Sequence, residues 1–275
     1  GMLCKAEQVH DELCHQSVAS WNALIAGYAQ HGRSHEALAC FERMQSEDVS
    51  PDVVTFTCVL KACGDTKSIE KGKEIHDVIV RKGLLERNAV LGNALVNMYA
   101  KCGVLVKALQ VLEELPIRNA ISWSSVISGY TEHGQGNEAL YCFERMQSEG
   151  ISPNAITFTC IVKACGSIGA IDKGKEIHDE IVRRGLLRKD MVLGSALVDM
   201  YGKCGVLAKA QEVHDELHVR NIVSWSALIS GYVEHGKIHA ALNCFEQIQH
   251  EGLSANVVTF SCILKACGDI GAIEK

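Results

Sequence analysis

The side chains with the most evident chemical capacity here are thirteen cysteines and twelve histidines. Cys58/Cys63, Cys160/Cys165 and Cys262/Cys267 recur five positions apart, inside apolar runs such as FTCVLKAC. A structural zinc site needs four ligands converging on one point, whereas a thiol in an apolar run acts as a small buried hydrophobe. No metal is expected. The odd cysteine count in a chain of this length argues against a secreted disulfide scaffold and for a reducing compartment. His31, His133 and His235 each precede a glycine that ends a helical pattern, where an imidazole complements the helix C-terminus. His76 and His178 stand in KEIH segments and read as packing or solvent-facing residues. No G-x-S-x-G elbow, Walker loop, or H-x-E with P-C-x-x-C signature is present. The chain is therefore expected not to be an enzyme by itself, with no cofactor and no small-molecule substrate.

The elements that carry these residues repeat. Trp21, Trp123 and Trp225 are spaced by 102 residues, within SWNALIAGYAQHG, SWSSVISGYTEHG and SWSALISGYVEHG. Lys61, Lys163 and Lys265 of the KAC segments keep that spacing, as do Lys73 and Lys175 of KEIHD and Tyr99 and Tyr201 of Y-x-KCGVL. A period this long holds three weakly similar units. We place them at 18–52, 53–88 and 89–119, then 120–154, 155–190 and 191–221, then 222–256 and a truncated unit 257–275. Residues 1–17 align with 205–221, so the sequence starts inside a short unit.

Each unit reads as two helices. Trp21, Leu24, Ile25 and Tyr28 recur at i, i+3, i+4 and i+7, on one face of a helix with Ser20 as expected N-cap. His31-Gly32 ends it, and a second helix is expected from about Ser34 to Glu47. The tryptophans could serve as stacking platforms for bases, but their place on the apolar stripe assigns them to the core. One helix pair cannot bury its apolar face alone; stacked neighbours can, and the expected fold is an all-α solenoid.

Composition agrees. With 47% apolar and 22% charged residues the chain is neither disordered nor collagenous, and no apolar run reaches the ~20 residues of a membrane helix. A formal charge of −6 excludes a globally basic nucleic-acid binder but leaves room for a local basic stripe.

The SWNALI-GY, TF-x-x-VLKAC…KEIH and ALV-MY-KCG units resemble the three motif types, P, L and S, of the PLS subclass of plant pentatricopeptide repeat proteins. The resemblance covers essentially the whole chain. It implies a right-handed superhelix of helix-turn-helix motifs: a partial S motif at 1–17, P at 18–52, L at 53–88, S at 89–119, P at 120–154, L at 155–190, S at 191–221, P at 222–256 and a partial L motif at 257–275. It also implies binding of single-stranded RNA at roughly one base per repeat. In the family, base choice goes with the fifth and last residues of a motif. Those are Asn22 with Asp52, Thr57 with Asn88, Asn93 with Asn119, Ser124 with Asn154, Thr159 with Asp190, Ser195 with Asn221, and Ser226 with Asn256. The implied target is U-(A)-C/U-A-(G)-A-A, with the L positions in brackets as weak readers.

These residue types suit base recognition, since Asn and Asp present acceptors, Asn and the hydroxyls present donors, and all are short. The competing reading is that short polar side chains in a first helical turn merely satisfy free N–H groups. The second motif residue flanks bases in the family; here it is Ala19, Val54, Val90, Ile121, Ile156, Val192, Val223 and Val258. Lys101 and Lys203 match the family's phosphate contact, whereas Gln30, Asp65, Glu132, Ser167 and Glu234 stand there in the other units. The resemblance further implies a mitochondrial or chloroplast protein that selects sites for C-to-U RNA editing, with editing factors and a deaminase domain in cis or trans as partners, and no membrane. The alternative from a different class is a helical-repeat scaffold that binds protein segments.

Overall fold

The computed structural model describes residues 2–13, 15–86, 88–188 and 190–269. Gly1, Cys14 and 270–275, parts of the two expected partial motifs, lie outside the described residues. Among the described residues there are sixteen helices and no strand. The chain divides between His133 and Gly134 into two compact units. The first holds α1 (Met2–Asp11), α2 (Val18–Gln30), α3 (Ser34–Ser46), α4 (Val53–Thr66), α5 (Ile69–Arg81), α6 (Ala89–Lys101), α7 (Leu105–Glu114) and α8 (Ala120–Glu132). The second holds α9 (Gly136–Ser148), α10 (Ala155–Ile168), α11 (Ile171–Arg183), α12 (Met191–Lys203), α13 (Leu207–Glu216), α14 (Ile222–Glu234), α15 (Ile238–His250) and α16 (Val257–Asp269). None of these helices is long and apolar enough to cross a membrane.

Local chemistry sets where the helices begin. Ser17, not Ser20, caps α2: its hydroxyl accepts from the Ser20 N–H, and Ser20 closes a capping box from the third helical position. Asp52, Asn119, Asn154 and Asn221 form the same box with Thr55, Ser122, Thr157 and Ser224. Asn88 and Asp190 cap α6 and α12 without the reciprocal bond. The sequence reading missed that the last residue of every complete motif before 222 is the N-cap of the next helix. Such a cap contributes roughly 1 kcal/mol. At the other end of α2, Gly32 takes φ 72° and the Arg33 N–H reaches back to the Tyr28 carbonyl, a left-handed stop that glycine adopts without steric cost. His31, His133 and His235 place Nδ1 2.8, 2.8 and 3.0 Å from carbonyls of the last turn, at Gly27, Gly129 and Gly231.

In the first unit α2, α4, α6 and α8 pack in succession, and α3, α5 and α7 each pack against the helix before and the helix after. The second unit repeats this with α10, α12, α14 and α16. Trp21 and Trp123 are fully buried and Trp225 nearly so, as their place on the apolar stripe predicts. Phe41 meets Phe56 edge-on with centroids 6.5 Å apart, and Phe143 meets Phe158 at 6.2 Å. His76 and His178 are buried, not solvent-facing, each with Nδ1 2.9 Å from a tyrosine hydroxyl, of Tyr99 and Tyr201.

One contact is set by the absence of a side chain. A Cβ on Gly231 would lie 2.8 Å from the Cα of Gly202, so α14 and α12 touch backbone to backbone. A clash with backbone cannot be relieved by a rotamer change, so Gly231→Ala is expected to destabilise by about 1–3 kcal/mol. That exceeds the helix-propensity gain of up to ~1 kcal/mol from replacing glycine. Thermal unfolding checks this; a melting temperature at or above wild type would refute the close approach.

Candidate nucleic-acid interface

The interface candidates lie in the first turns of the first helix of each motif. The second position of each such helix is solvent-facing: Val54, Val90, Ile121, Ile156, Val192, Val223 and Val258 are between 52% and 64% exposed, and Ala19 is exposed too. Exposure of an aliphatic side chain at one helical position in seven successive motifs is not core patterning. The neighbouring polar positions turn inward. Ser124, Ser195 and Ser226 are buried, and Asn22, Thr57, Asn93 and Thr159 are half-buried.

In the second unit the positions on α12, α14 and α16, though not Ile156 or Thr159 of α10, line one groove of about 580 Å³. Its wall carries the pairs Ser195/Asn221 and Ser226/Asn256, the flanking Val192, Val223 and Val258, and the charged Lys163, Asp199 and Lys203. Lys163 was not anticipated as an interface residue. Its signal is the lysine of the KAC segment, which recurs at Lys61, Lys163 and Lys265.

The expected pairs are brought together unevenly. Asn22 Nδ2 donates to Asp52 Oδ1 at 3.0 Å, while Asn22 Oδ1 accepts from the Thr55 hydroxyl at 2.6 Å. The Ser226 hydroxyl lies 3.3 Å from Asn256 Oδ1 and 2.7 Å from the Thr259 hydroxyl. Asn256 Oδ1 also accepts from the Thr259 N–H at 2.8 Å, the bond by which the preceding motif ends cap their helices. Among the described residues no hydrogen bond joins Thr57 to Asn88, Asn93 to Asn119, Thr159 to Asp190 or Ser195 to Asn221. Ser124 lies in α8 of the first unit, and Asn154 caps α10 of the second.

Burial alone would push the Asp52 carboxyl up. The Thr55 N–H, the Asn22 amide and the Thr55 hydroxyl together outweigh it and hold the group below the usual carboxylate range. Asp52 is thus an ionised, acceptor-only group at neutral pH. All its side-chain hydrogen bonds fall on Oδ1.

The hydroxyl positions differ from the sequence expectation of free donors. Thr57, Thr159, Ser195 and Ser226 each donate to the carbonyl four residues back, at 2.7, 2.9, 2.9 and 2.6 Å. Their protons are engaged within the helix, so these oxygens face a ligand with lone pairs. Asn93 is the opposite case: its buried Oδ1 has no hydrogen-bond partner. An orphaned buried acceptor is rare in a folded protein and gains from an incoming donor.

The two lysines expected at phosphates are exposed but paired. Lys101 Nζ is 2.5 Å from Asp65 Oδ1, and Lys203 Nζ is 2.7 Å from Asp199 Oδ2. Among the described residues no group of three or more His, Cys, Asp or Glu is arranged to hold a metal ion.

The chain is 35% identical over its full length to a mitochondrial pentatricopeptide repeat-containing protein of Arabidopsis thaliana, and 35% to a chloroplastic one of the same plant. It spans 40% and 34% of the length of these two relatives. The crystal structure of the pentatricopeptide repeat protein PPR10 with an 18-nt psaJ RNA element superimposes with a TM-score of 0.81 at 20% identity, covering 97% of this chain and 41% of that one. The fold is accordingly an all-α helical-repeat solenoid. The PPR repeat family matches residues 16–65, 118–167 and 220–269, and the single PPR repeat matches 54–84, 93–119, 156–186 and 195–222. Matches over so much of the sequence, on the helix pairs that carry the exposed aliphatic column, place the chain in the pentatricopeptide repeat family.

Proposed function

We propose that this chain binds single-stranded RNA sequence-specifically, reading about one base per motif through the fifth and last motif residues. The observation that carries the reading is the recurrence of an exposed aliphatic second residue beside an inward-facing short polar one, three of which, at Val192, Val223 and Val258, share one groove of the second unit with Ser195, Asn221, Ser226 and Asn256. A flat base fits between two such aliphatic side chains while its edge meets the polar pair. The pairs then act as follows. The ionised Asp52 with Asn22 accepts from an imino N–H and favours uracil. Asn93 with Asn119 favours a pyrimidine, and the orphaned Asn93 oxygen gains a donor on binding. Ser195/Asn221 and Ser226/Asn256 favour adenine, whose amino group donates to serine and asparagine acceptors. Thr57/Asn88 and Thr159/Asp190 read weakly.

The alternation of 35-, 36- and 31-residue units supports assignment to the PLS subclass. On that assignment the chain selects targets for organellar RNA processing, specifically C-to-U editing, with editing factors and a deaminase supplying catalysis. The mitochondrial and chloroplastic relatives support an organellar location.

The test is fluorescence anisotropy with a labelled RNA carrying UAYAGAA against a scrambled sequence. Preferential binding is expected; equal or absent binding would return the chain to the protein-scaffold reading. Asn93→Ser is expected to shift preference at that base from pyrimidine to adenine by about tenfold, the scale of one good base-edge contact. An unchanged profile would remove Asn93 from base reading.

A further inference from the structure

Lys101 and Lys203 occupy the same place in α6 and α12, yet each is held by an acid from a different address. The partner of Lys101 is Asp65, 36 residues earlier, at the end of α4. The partner of Lys203 is Asp199, one turn back in its own helix. Shifting by the 102-residue period, Asp65 corresponds to Ser167 and Asp199 to Asn97. Each lysine therefore has one acid, and a neutral residue where the other lysine finds its acid. The neutral residues make other bonds: Ser167 donates to the Ala164 carbonyl at 2.8 Å, and Asn97 lies 3.4 Å from the Ser125 hydroxyl. The exchange keeps one anion per lysine while moving it from one helix to another.

Stability does not explain this. The lysine side chains are 42% and 44% exposed and the acids 28% each, and pairs this accessible to water contribute little to folding. What both arrangements preserve is the charge at the lysine. Asp199 and Lys203 line the groove together with Lys163 and the polar pairs. A phosphate reaching Lys203 meets a carboxylate already bound there.

We infer that Asp65 and Asp199 are affinity-setting residues of the RNA interface, each standing in for phosphate on its lysine so that an RNA backbone must displace it. The inference rests on the RNA-binding reading above. Its consequence is a weakened phosphate contribution, which every sequence shares, so that a larger part of the binding comes from base contacts.

The test exchanges each acid for its counterpart in the other triplet: Asp65→Ser and Asp199→Asn, in the full 275-residue chain. Binding to UAYAGAA RNA and to the scrambled RNA is titrated against potassium chloride. Freeing one lysine adds one phosphate contact, so the slope of log affinity on log salt should steepen by about 0.7 for a single strand. Extrapolated from 1 M, that is a gain of about fivefold per variant at 0.1 M salt, equal for both RNAs. The double substitution Asp65→Ser/Asn97→Asp gives the first triplet the arrangement of the second and should restore the wild-type slope. Binding that persists with slope and affinity unchanged in the single variants, or affinity that falls, would overturn the inference while leaving the RNA reading intact. Failure of wild type and every variant to bind either RNA would overturn both.

Discussion

Replacing Val192 and Val223 together by serine is expected to weaken RNA binding about thirtyfold without measurable loss of fold. Both side chains are more than half exposed in the free protein, at 62% and 57%, and both line the groove that holds Ser195 and Asn221. Covering a valine is worth up to about 1.5 kcal/mol, and with part of each already covered about 1 kcal/mol per residue is recoverable on binding. Two such losses total about 2 kcal/mol, or roughly thirtyfold in affinity. Because neither residue packs in the core, unfolding free energy should stay within about 0.5 kcal/mol of wild type. Anisotropy with the target RNA and a thermal melt on the same sample decide it. Unchanged affinity would mean that the aliphatic column does not meet bases, whatever the melt shows. The variant also separates the RNA reading from the capping roles of Asn221 and Asn256, since both caps are untouched.

The second large effect concerns stability. His214→Leu is expected to stabilise the fold by about 1–3 kcal/mol at neutral pH. His214 is fully buried, its ring is 4.2 Å from that of Trp225, and neither ring nitrogen has a hydrogen-bond partner. The nearest carboxylate oxygen, on Asp215, is 3.6 Å from Nδ1, too far for a hydrogen bond. The same position one period earlier is Leu112, equally buried, so the site accepts leucine in a closely related frame.

Acid should widen the difference. Burial pushes the His214 imidazole below its ordinary value, outweighing the upward pull of Asp215. The unfolded chain therefore binds a proton at His214 in a range where the folded chain does not. Its contribution to stability is fully present above the unfolded value near 6.5 and is lost as pH falls through the lower folded value. Wild type should lose up to about 1.4 kcal/mol per pH unit more than the leucine variant as pH falls below about 6.5. Urea unfolding at several pH values measures this; parallel pH profiles would show that His214 is not what titrates. His76 and His178 are shifted down in the same way, again mainly by burial, so some acid sensitivity will remain in the variant.

Much of the architecture was legible because it rests on short-range rules. The helix stops at His-Gly and the tryptophan stripe follow from spacing within a few residues, and the 102-residue period from the recurrence of the same segments along the chain. The missed N-cap at Ser17 was also legible. Ser20 looked suitable because serine is a good cap, but the chain enters the helix three residues earlier, and Ser20 answers from inside the first turn. The same oversight hid the capping by Asp52 and Asn154, because their motif-end position suggested base reading first. Both roles fit one side chain, since the cap bond uses Oδ1 of Asp52 or Asn154 and leaves the second polar atom of the group outside the cap.

By itself the sequence determined the 102-residue period, which residues face the core and which short polar side chains stand at recurring positions. These are properties of helical periodicity and need no partner. Only the tertiary structure decided the electrostatic state of those positions. Lys101 and Lys203 match the same motif position, yet the packing of α4 beside α6 brings Asp65 to Lys101, whereas Asp199 reaches Lys203 from one turn back in its own helix, a pair already legible in the spacing. The burial of His214 without a partner, and the Asn22–Asp52 bond across 30 residues, depend likewise on which helices stack and how closely. A repeat pattern fixes the order of helices along the chain. The distance between side chains on neighbouring helices follows from packing, and over a few ångströms that distance separates a free charge from a neutralised one.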